Sequence, residues 1–239
     1  GESWTLLPEQ KQHNPGLFSP GVKWGVQPGS FTHNTEFFGP LLGVMKAKDL
    51  QQAIDLVNAT GYGLTSGLES LDKREQKLWQ HSIKAGNLYV NRSTTGAIVL
   101  RQPFGGMGKS AFGPGIKAGG PNYVAQLMEF TENGTSQIEA EVRNPHLNAL
   151  AQRLRQLQKQ GGNFPAQEVH RTLMAIASYD WYSREEFGLS HDHQQLVGQD
   201  NLRRYLPFRE VRIRIHPKDT FFEIFARVCA AKSLACRIA

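Results

Sequence analysis

The stretch from Leu41 to Asn91 constrains the fold most, because apolar runs alternate in it with segments of helical period. "LLGVMKA" reads as a buried strand. "DLQQAIDLVNAT" reads as a helix with Leu50, Ala53, Ile54 and Val57 on one face and Asp49 near its start. Gly61 stops it, since glycine accepts the left-handed backbone that ends helices. "GLTSGLES" reads as a strand. Asp72 then caps a second helix, with Glu75 placed to complete a capping box. That helix carries Leu78, Trp79 and Ile83, and Gly86 ends it. "NLYVN" is a short strand. Strand, helix, strand, helix, strand predicts an α/β fold built on a parallel sheet with flanking helices. "GYGLTSG" mimics a dinucleotide fingerprint. It follows a helix and opens a strand, the reverse of what that fingerprint needs, and its third glycine is one residue late.

Residues 1–35 carry little periodic signal and read as extended chain and turns. A long loop runs from Arg92 to Gly120, and loops of that length inside a compact domain are usually functional. Its end, "GGMGKSAFGPG", holds a Gly-Lys-Ser triplet. A phosphate-binding loop needs a glycine five residues before the glycine of that triplet. Counting back from Gly108, that position is Pro103, which has no N–H to donate. Gly113, Pro114 and Gly115 would also break the helix that must follow. "YVAQLMEFTE" returns to regular structure. Composition shifts near "TENGTSQIEAEVRN". Beyond it Asn144 and Pro145 open a polar helix, and Pro165 opens a helical stretch to about Phe187. "VRIRIH" reads as a strand. Thr220 and Glu223 form a capping box for "FFEIFARVCAAKSL", and "ACRIA" begins another strand. Nothing closes that last α/β unit, so the sequence is expected to be a piece of a longer protein.

At 239 residues the chain is long enough for one large or two ordinary domains. Hydrophobic content of 39% suits a globular protein. No apolar run approaches a membrane span, and "GESWTLLPEQ" is no signal peptide. Net charge is +6, but the basic residues are scattered, without the interleaved aromatics of a nucleic-acid stacking surface. Nucleic acid is therefore not expected as a partner. Cys229 and Cys236 stand about two helical turns apart, which is neither a metal pair nor a disulfide framework. Buried thiols in a reducing, cytoplasmic setting fit best. In "HDH", His191, Asp192 and His193 diverge in direction, so one metal cannot readily take all three, and no metal site is expected.

"TEFFGP" (Thr35 to Pro40) resembles the Glu-x-Phe-Gly-Pro signature of the aldehyde dehydrogenases. Behind it, in order, come "GYGLTSGL" and "AGNLYVNRSTTGAIVLRQPFGGMGKSAFGPGIKAGGPNY". The last block resembles the C-terminal part of the L-glutamate γ-semialdehyde (1-pyrroline-5-carboxylate) dehydrogenases. It looks most like the dehydrogenase half of the bifunctional proline utilization A (PutA) proteins. The resemblance is dense over about residues 20–132. It implies the C-terminal half of an aldehyde dehydrogenase catalytic domain over 1–143, with an oligomerisation-type strand near "YVAQLMEFTE". It implies a helical linker and the start of a second, non-catalytic aldehyde-dehydrogenase-like domain over 144–239.

The resemblance also implies roles. Glu36 would bind the ribose of the NAD nicotinamide, since a carboxylate accepts two hydroxyl hydrogen bonds well. Phe38 would pack near the nicotinamide. Gly96 and Ala97 would admit the substrate's α-carboxylate to backbone N–H donors, because small residues permit close approach. Ser93, Thr94 and Thr95 could add hydroxyls or simply satisfy a turn. Phe104 would line the aldehyde tunnel. Lys109 and Ser110 then read as structural. The family uses a cysteine nucleophile that forms a thiohemiacetal and passes hydride to NAD. That cysteine and the general-base Glu lie upstream of Glu-x-Phe-Gly-Pro, and no cysteine precedes Thr35. No catalytic residue is expected in this chain. The implied parent oxidises L-glutamate γ-semialdehyde as an NAD-dependent homo-oligomer, and FAD would belong to an upstream proline dehydrogenase domain. The alternative for the chain itself is a non-catalytic structural or oligomerisation module.

Overall fold

The computed structural model describes residues 1–98, 101–113, 116–131, 134, 138, 140–161 and 164–239. Pro114 and Gly115 of the glycine-rich stretch, Glu132 at the end of "YVAQLMEFTE", and much of the compositional shift at 131–144 lie outside them. The chain forms two compact units, Gly1–Leu127 and Met128–Ala239.

In the first unit β1 (Ser3–Leu6) runs antiparallel to β2 (Gly21–Trp24), and β2 runs parallel to β3 (Leu41–Val44). A single helical turn, α1 (Phe31–Asn34), lies between β2 and β3, and its cap Ser30 accepts from the His33 N–H. Helix α2 (Leu50–Ala59) starts where Asp49 accepts the Gln52 N–H at 2.8 Å. It gives way at Gly61, whose φ of +74° favours glycine. Then come β4 (Tyr62–Gly63), β5 (Thr65–Leu68), α3 (Lys73–Ser82) and β6 (Asn87–Val90). β5 and β6 pair in parallel from Thr65↔Asn87 to Leu68↔Val90, with α3 as the crossover. β7 (Met107–Gly108) returns antiparallel to β4. Ile54, Trp79 and Ile83 form the core, closed by Leu50, Leu68, Leu88 and Val90. The apolar faces of α2 and α3 thus cover one side of β5–β6.

Several expectations change. The expected single parallel sheet is two: β3 pairs with β2, not with β5. Consecutive strands of an α/β unit need not be neighbours. β3 is half exposed rather than buried, because it is an end strand of its sheet. Residues 1–35 hold two strands that short length and Pro/Gly content concealed. Glu75 closes no capping box: its carboxylate accepts from Ser70 Oγ, whose oxygen takes the Asp72 N–H. Near "YVAQLMEFTE" the chain forms a 3-10 turn, Val124–Leu127, and residues 128–131 have no regular structure. A strand needs a neighbour for its backbone groups, and this segment pairs with none among the described residues.

In the second unit α4 (Pro145–Lys159) begins at Asn144, whose Oδ1 accepts the His146 and Leu147 N–H groups. α5 (Ala166–Tyr182) follows Pro165 and runs into a π-helical turn, Ser183–Phe187. β8 (Ser190–His191) pairs antiparallel with β9 (Arg203–Arg204). β10 (Glu210–Val211), α6 (Phe221–Ser233) and β11 (Arg237–Ile238) form a parallel crossover, with the Thr220–Glu223 capping box in place. The strand expected over "VRIRIH" is regular only at its first residue, Val211. Leu147, Ala151, Leu154, Val169, Ile176 and Cys229 bring α4, α5 and α6 together.

Buried Asp180 fixes how α4 starts. Its two carboxylate oxygens accept the Arg143 and Asn144 N–H groups, each at 2.9 Å, and Arg184 pairs with it at 3.3 Å. Truncation leaves two backbone donors without their acceptor and takes from Arg184 one of its two carboxylate partners, so Asp180→Ala should cost about 3 kcal/mol. Asp180→Asn, which keeps one good acceptor, should cost about half as much. Urea unfolding followed by helical circular dichroism measures both. A loss below about 1 kcal/mol for Asp180→Ala would mean that the α4 start is held by Asn144 alone.

Candidate functional site

Glu36 and Phe38 follow α1 on a turn that is held from behind. The His33 ring accepts the Gly29 N–H at Nδ1 (2.9 Å), which leaves Nε2 to donate to the Leu56 carbonyl of α2 (2.9 Å). Phe31 and Phe37 pack edge to face, centroids 5.8 Å apart. The Glu36 carboxylate is exposed, and among the described residues it has no hydrogen-bond or ion-pair partner. Phe38 is 94% exposed with a φ of +47°. An aromatic residue held in the left-handed region is uncommon, costs of order 1–2 kcal/mol, and points to a functional constraint. Both residues line a shallow cleft of about 350 Å³ with Thr32, His33 and Met45. An unpaired carboxylate beside a free aromatic face fits a ribose diol next to a flat ring, which is what a nicotinamide nucleoside presents.

The residues expected to meet substrate lie along a loop and not in one pocket. Ser93 Oγ and Thr95 Oγ1 bond each other at 2.7 Å, and the Thr95 N–H donates to Ser93 Oγ, so the hydroxyls close a local turn. Gly96 follows with φ +77°, and a Cβ there would meet nothing within 4 Å. What glycine supplies at 96 is backbone conformation. Ala97 is half buried. Phe104 exchanges both backbone bonds with Ala118, N–H to O and O to N–H, at 2.9 Å each. A second cleft of about 460 Å³ lies under the exit of the loop, lined by Leu64, Gly106, Ser110, Phe112 and Tyr123. Neither cleft includes Gly96, Ala97 or Phe104.

The Gly-Lys-Ser triplet is structural. Lys109 donates its N–H to the Gly61 carbonyl at 2.9 Å and its Nζ to the Thr60 carbonyl at 2.8 Å, with the ammonium 5.0 Å from the Tyr62 ring centre. A cation therefore sits on the carbonyl of Thr60, the C-cap of α2, where helix ends favour it. Ser110 Oγ accepts the Gly63 N–H. A Cβ on Gly108 would collide with the Gly61 carbonyl oxygen. The triplet docks the loop exit onto the end of α2 and leaves no N–H cradle for phosphate.

Two residues beneath the loop, Asn87 and Lys117, carry no signal in the sequence. Asn87 donates Nδ2 to the Pro103 carbonyl and accepts the Gly105 N–H at Oδ1, each at 3.1 Å. Lys117 donates Nζ to the Gly105 carbonyl at 2.6 Å and to the Gly86 carbonyl at 2.7 Å, and its burial draws its pKa down. A lysine on a glycine-rich loop gives no sign in sequence of which carbonyls it will reach.

Both cysteines are buried. Burial pushes the Cys229 thiol up to about 11, the wrong direction for a nucleophile. Cys236 lies beyond the end of α6, not two turns along it. In "HDH" each member has a structural partner. His191 Nε2 contacts the Glu186 carbonyl, Asp192 accepts three backbone N–H groups, and His193 accepts from Arg203.

The profile of the aldehyde dehydrogenase family matches residues 2–133, and the chain belongs to that family. Proline utilization A (PutA) from Corynebacterium freiburgense has the same fold over all of this chain, with a TM-score of 0.83 and 38% identity, covering 23% of that protein. The bifunctional protein PutA of Rhizobium meliloti is 52% identical over 96 residues, 39% of this chain and 8% of the relative. The 1-pyrroline-5-carboxylate dehydrogenase of Geobacillus thermodenitrificans (strain NG80-2) is 41% identical over 115 residues, 48% of this chain and 22% of the relative. The chain spans less than a quarter of the length of each. The resemblance carried by "TEFFGP" and the downstream blocks is thereby borne out.

The backbone at Phe38 can be tested directly. Phe38→Gly relieves the left-handed strain, whereas Phe38→Val places a β-branched residue in it. The glycine variant should be more stable than the valine variant by about 1–2 kcal/mol in urea unfolding. Equal midpoints would mean that the turn relaxes without cost.

Proposed function

We propose that this chain is the C-terminal part of the catalytic domain of an NAD-dependent L-glutamate γ-semialdehyde dehydrogenase, which oxidises the semialdehyde to glutamate in proline catabolism. Residues 1–143 belong to that domain, and residues 144–239 form a helical linker and the start of a second, non-catalytic aldehyde-dehydrogenase-like domain. The Glu36–Phe38 turn carries the reading: a free carboxylate and a strained, solvent-facing aromatic ring share one cleft. The named relatives support the choice of aldehyde.

Bound NAD would supply the hydride acceptor. Glu36 would accept two ribose hydroxyl bonds, and Phe38 would lie against the nicotinamide. Backbone N–H groups at Gly96 and Ala97 would face the substrate's α-carboxylate, and Phe104 would form an apolar wall that excludes water. The nucleophilic cysteine would come from the N-terminal half of the enzyme, outside these residues. The enzyme would work in the cytoplasm as a homo-oligomer, and FAD would serve an upstream proline dehydrogenase domain if one is present. Among the described residues no helix is long and apolar enough to cross a membrane. A second reading, a structural or oligomerisation module, suits the isolated chain. It is favoured by the exposed side chains of Leu127, Met128 and Phe130, since adjacent apolar groups in water mark a contact surface.

The isolated chain should produce no NADH from glutamate semialdehyde, because a thioester path cannot begin without an available thiolate. Turnover that disappears in Cys229→Ala or Cys236→Ala would overturn this. In a full-length polypeptide carrying the segment, Ala97→Leu should weaken the semialdehyde far more than a simple aliphatic aldehyde. Losing a hydrogen bond to a charged group should move the ratio of the two kcat/KM values by about ten- to a hundredfold. If both fall equally, Ala97 only shapes a general tunnel.

A further inference from the structure

The Phe104 segment is gripped on both sides by groups that the family signature does not single out. Asn87 brackets the residue: its amide bonds Pro103 on one flank and Gly105 on the other, as a neighbouring strand would. Lys117 closes the other side. Its ammonium bridges the Gly105 carbonyl on the return leg and the Gly86 carbonyl at the foot of β6. The backbones meet so closely here that a Cβ on Gly86 would collide with the Gly105 carbonyl oxygen. One ammonium donating to two carbonyls ties them together, and such charge-assisted bonds are the stronger kind. With the Ala118 bridge, the backbone of Phe104 is fixed from three directions.

We propose that Asn87 and Lys117 are positioning residues, which fix the Phe104 wall of the aldehyde tunnel by clamping Pro103 and Gly105 to the foot of β6. The assignment of Phe104 to the tunnel rests on the dehydrogenase reading above. The clamp itself rests on the geometry alone. Lys117 acts through the Gly105 carbonyl on the residue beside it. Arginine is not an equivalent exchange, because a compact ammonium meets both carbonyls at 2.6 and 2.7 Å and a guanidinium is a wider, planar group.

The experiment has two arms. In this chain, amide hydrogen exchange is compared between wild type, Lys117→Met and Asn87→Ala. Exchange at Phe104 and Gly105 should quicken by roughly tenfold or more in each variant, while amides of α2 and α3 stay unchanged. Unchanged exchange at Phe104 and Gly105 in both variants overturns the clamp. Faster exchange throughout α2 and α3 overturns it as well, since these residues would then support the whole fold and not the loop. In a full-length polypeptide carrying the segment, Lys117→Met should raise the semialdehyde KM by roughly tenfold and leave the NAD KM within about twofold. Lys117→Arg should fail to restore it. Equal rises in both KM values, or restoration by arginine, would overturn the positioning role. If the wild-type polypeptide does not oxidise the semialdehyde, the dehydrogenase reading falls and takes the tunnel role with it. The exchange arm then still decides whether the clamp exists.

Discussion

The close passage of Gly105 over Gly86 governs the first unit. Backbone meets backbone there with no room for a side chain at Gly86, while a Cβ on Gly105 would press against Ile116 and Lys117. The long loop can therefore lie directly on the foot of β6 instead of arching into solvent. Such contact buries carbonyl groups, which must find donors or cost several kcal/mol. Lys117 meets two of them and Asn87 a third. Further along, β7 adds the β4 ladder, and Lys109 and Ser110 fasten the exit to the end of α2. A loop fixed at these points presents its residues in a defined order without helix or strand of its own.

Side chains in the first unit divide according to whether their polar atoms are satisfied. The buried or half-buried Asn87 and Lys117 are fully engaged by the scaffold. Glu36 and Phe38 are left free, one unpaired and the other strained. A chain selected only for its own stability would pair the carboxylate and relax the φ of Phe38. Keeping them as they are is what a binding surface needs, because a group already satisfied within the protein has nothing to offer a ligand. His33 shows how the scaffold supports that surface: both ring nitrogens are used to tie the turn to Gly29 and to α2.

Local codes were legible in the sequence and long-range partners were not. Asp49, Asn144 and the Thr220–Glu223 pair each satisfy N–H groups within three residues, so composition and spacing suffice to place those helix starts. Glu75 followed the same spacing and yet bonds Ser70, because the Ser70 hydroxyl two residues before the Asp72 cap competes for it. β1 and β2 escaped notice since strands of four residues among prolines and glycines show no reliable alternation. The motif made Glu36, Phe38, Gly96, Ala97 and Phe104 candidates. Lys117 and Asn87 went unseen because their importance lies in carbonyls 12 to 31 residues away. Nothing in a residue's type reveals an acceptor at that distance. For the Gly-Lys-Ser triplet, the failed glycine spacing excluded phosphate, but only the structure shows the carbonyls at the end of α2 that it serves instead.

The cysteines of this chain lie in surroundings that do not suit a nucleophile. Thioester chemistry needs a thiolate at ordinary pH, hence a cation, a helix N-terminus or a general base beside the sulfur. Cys229 has none of these. It lies in the apolar packing between α4, α5 and α6, where burial raises its pKa to about 11. Moving it toward reactivity would require a charged group in that packing, at a desolvation cost of several kcal/mol. The helical core and a reactive thiol are therefore incompatible at this position. The demands on the loop are opposite: open groups, rigid backing and the half-buried Lys117 ammonium that ties two carbonyls together. Binding geometry and nucleophile can thus sit on separate parts of a polypeptide, each with surroundings that the other could not tolerate.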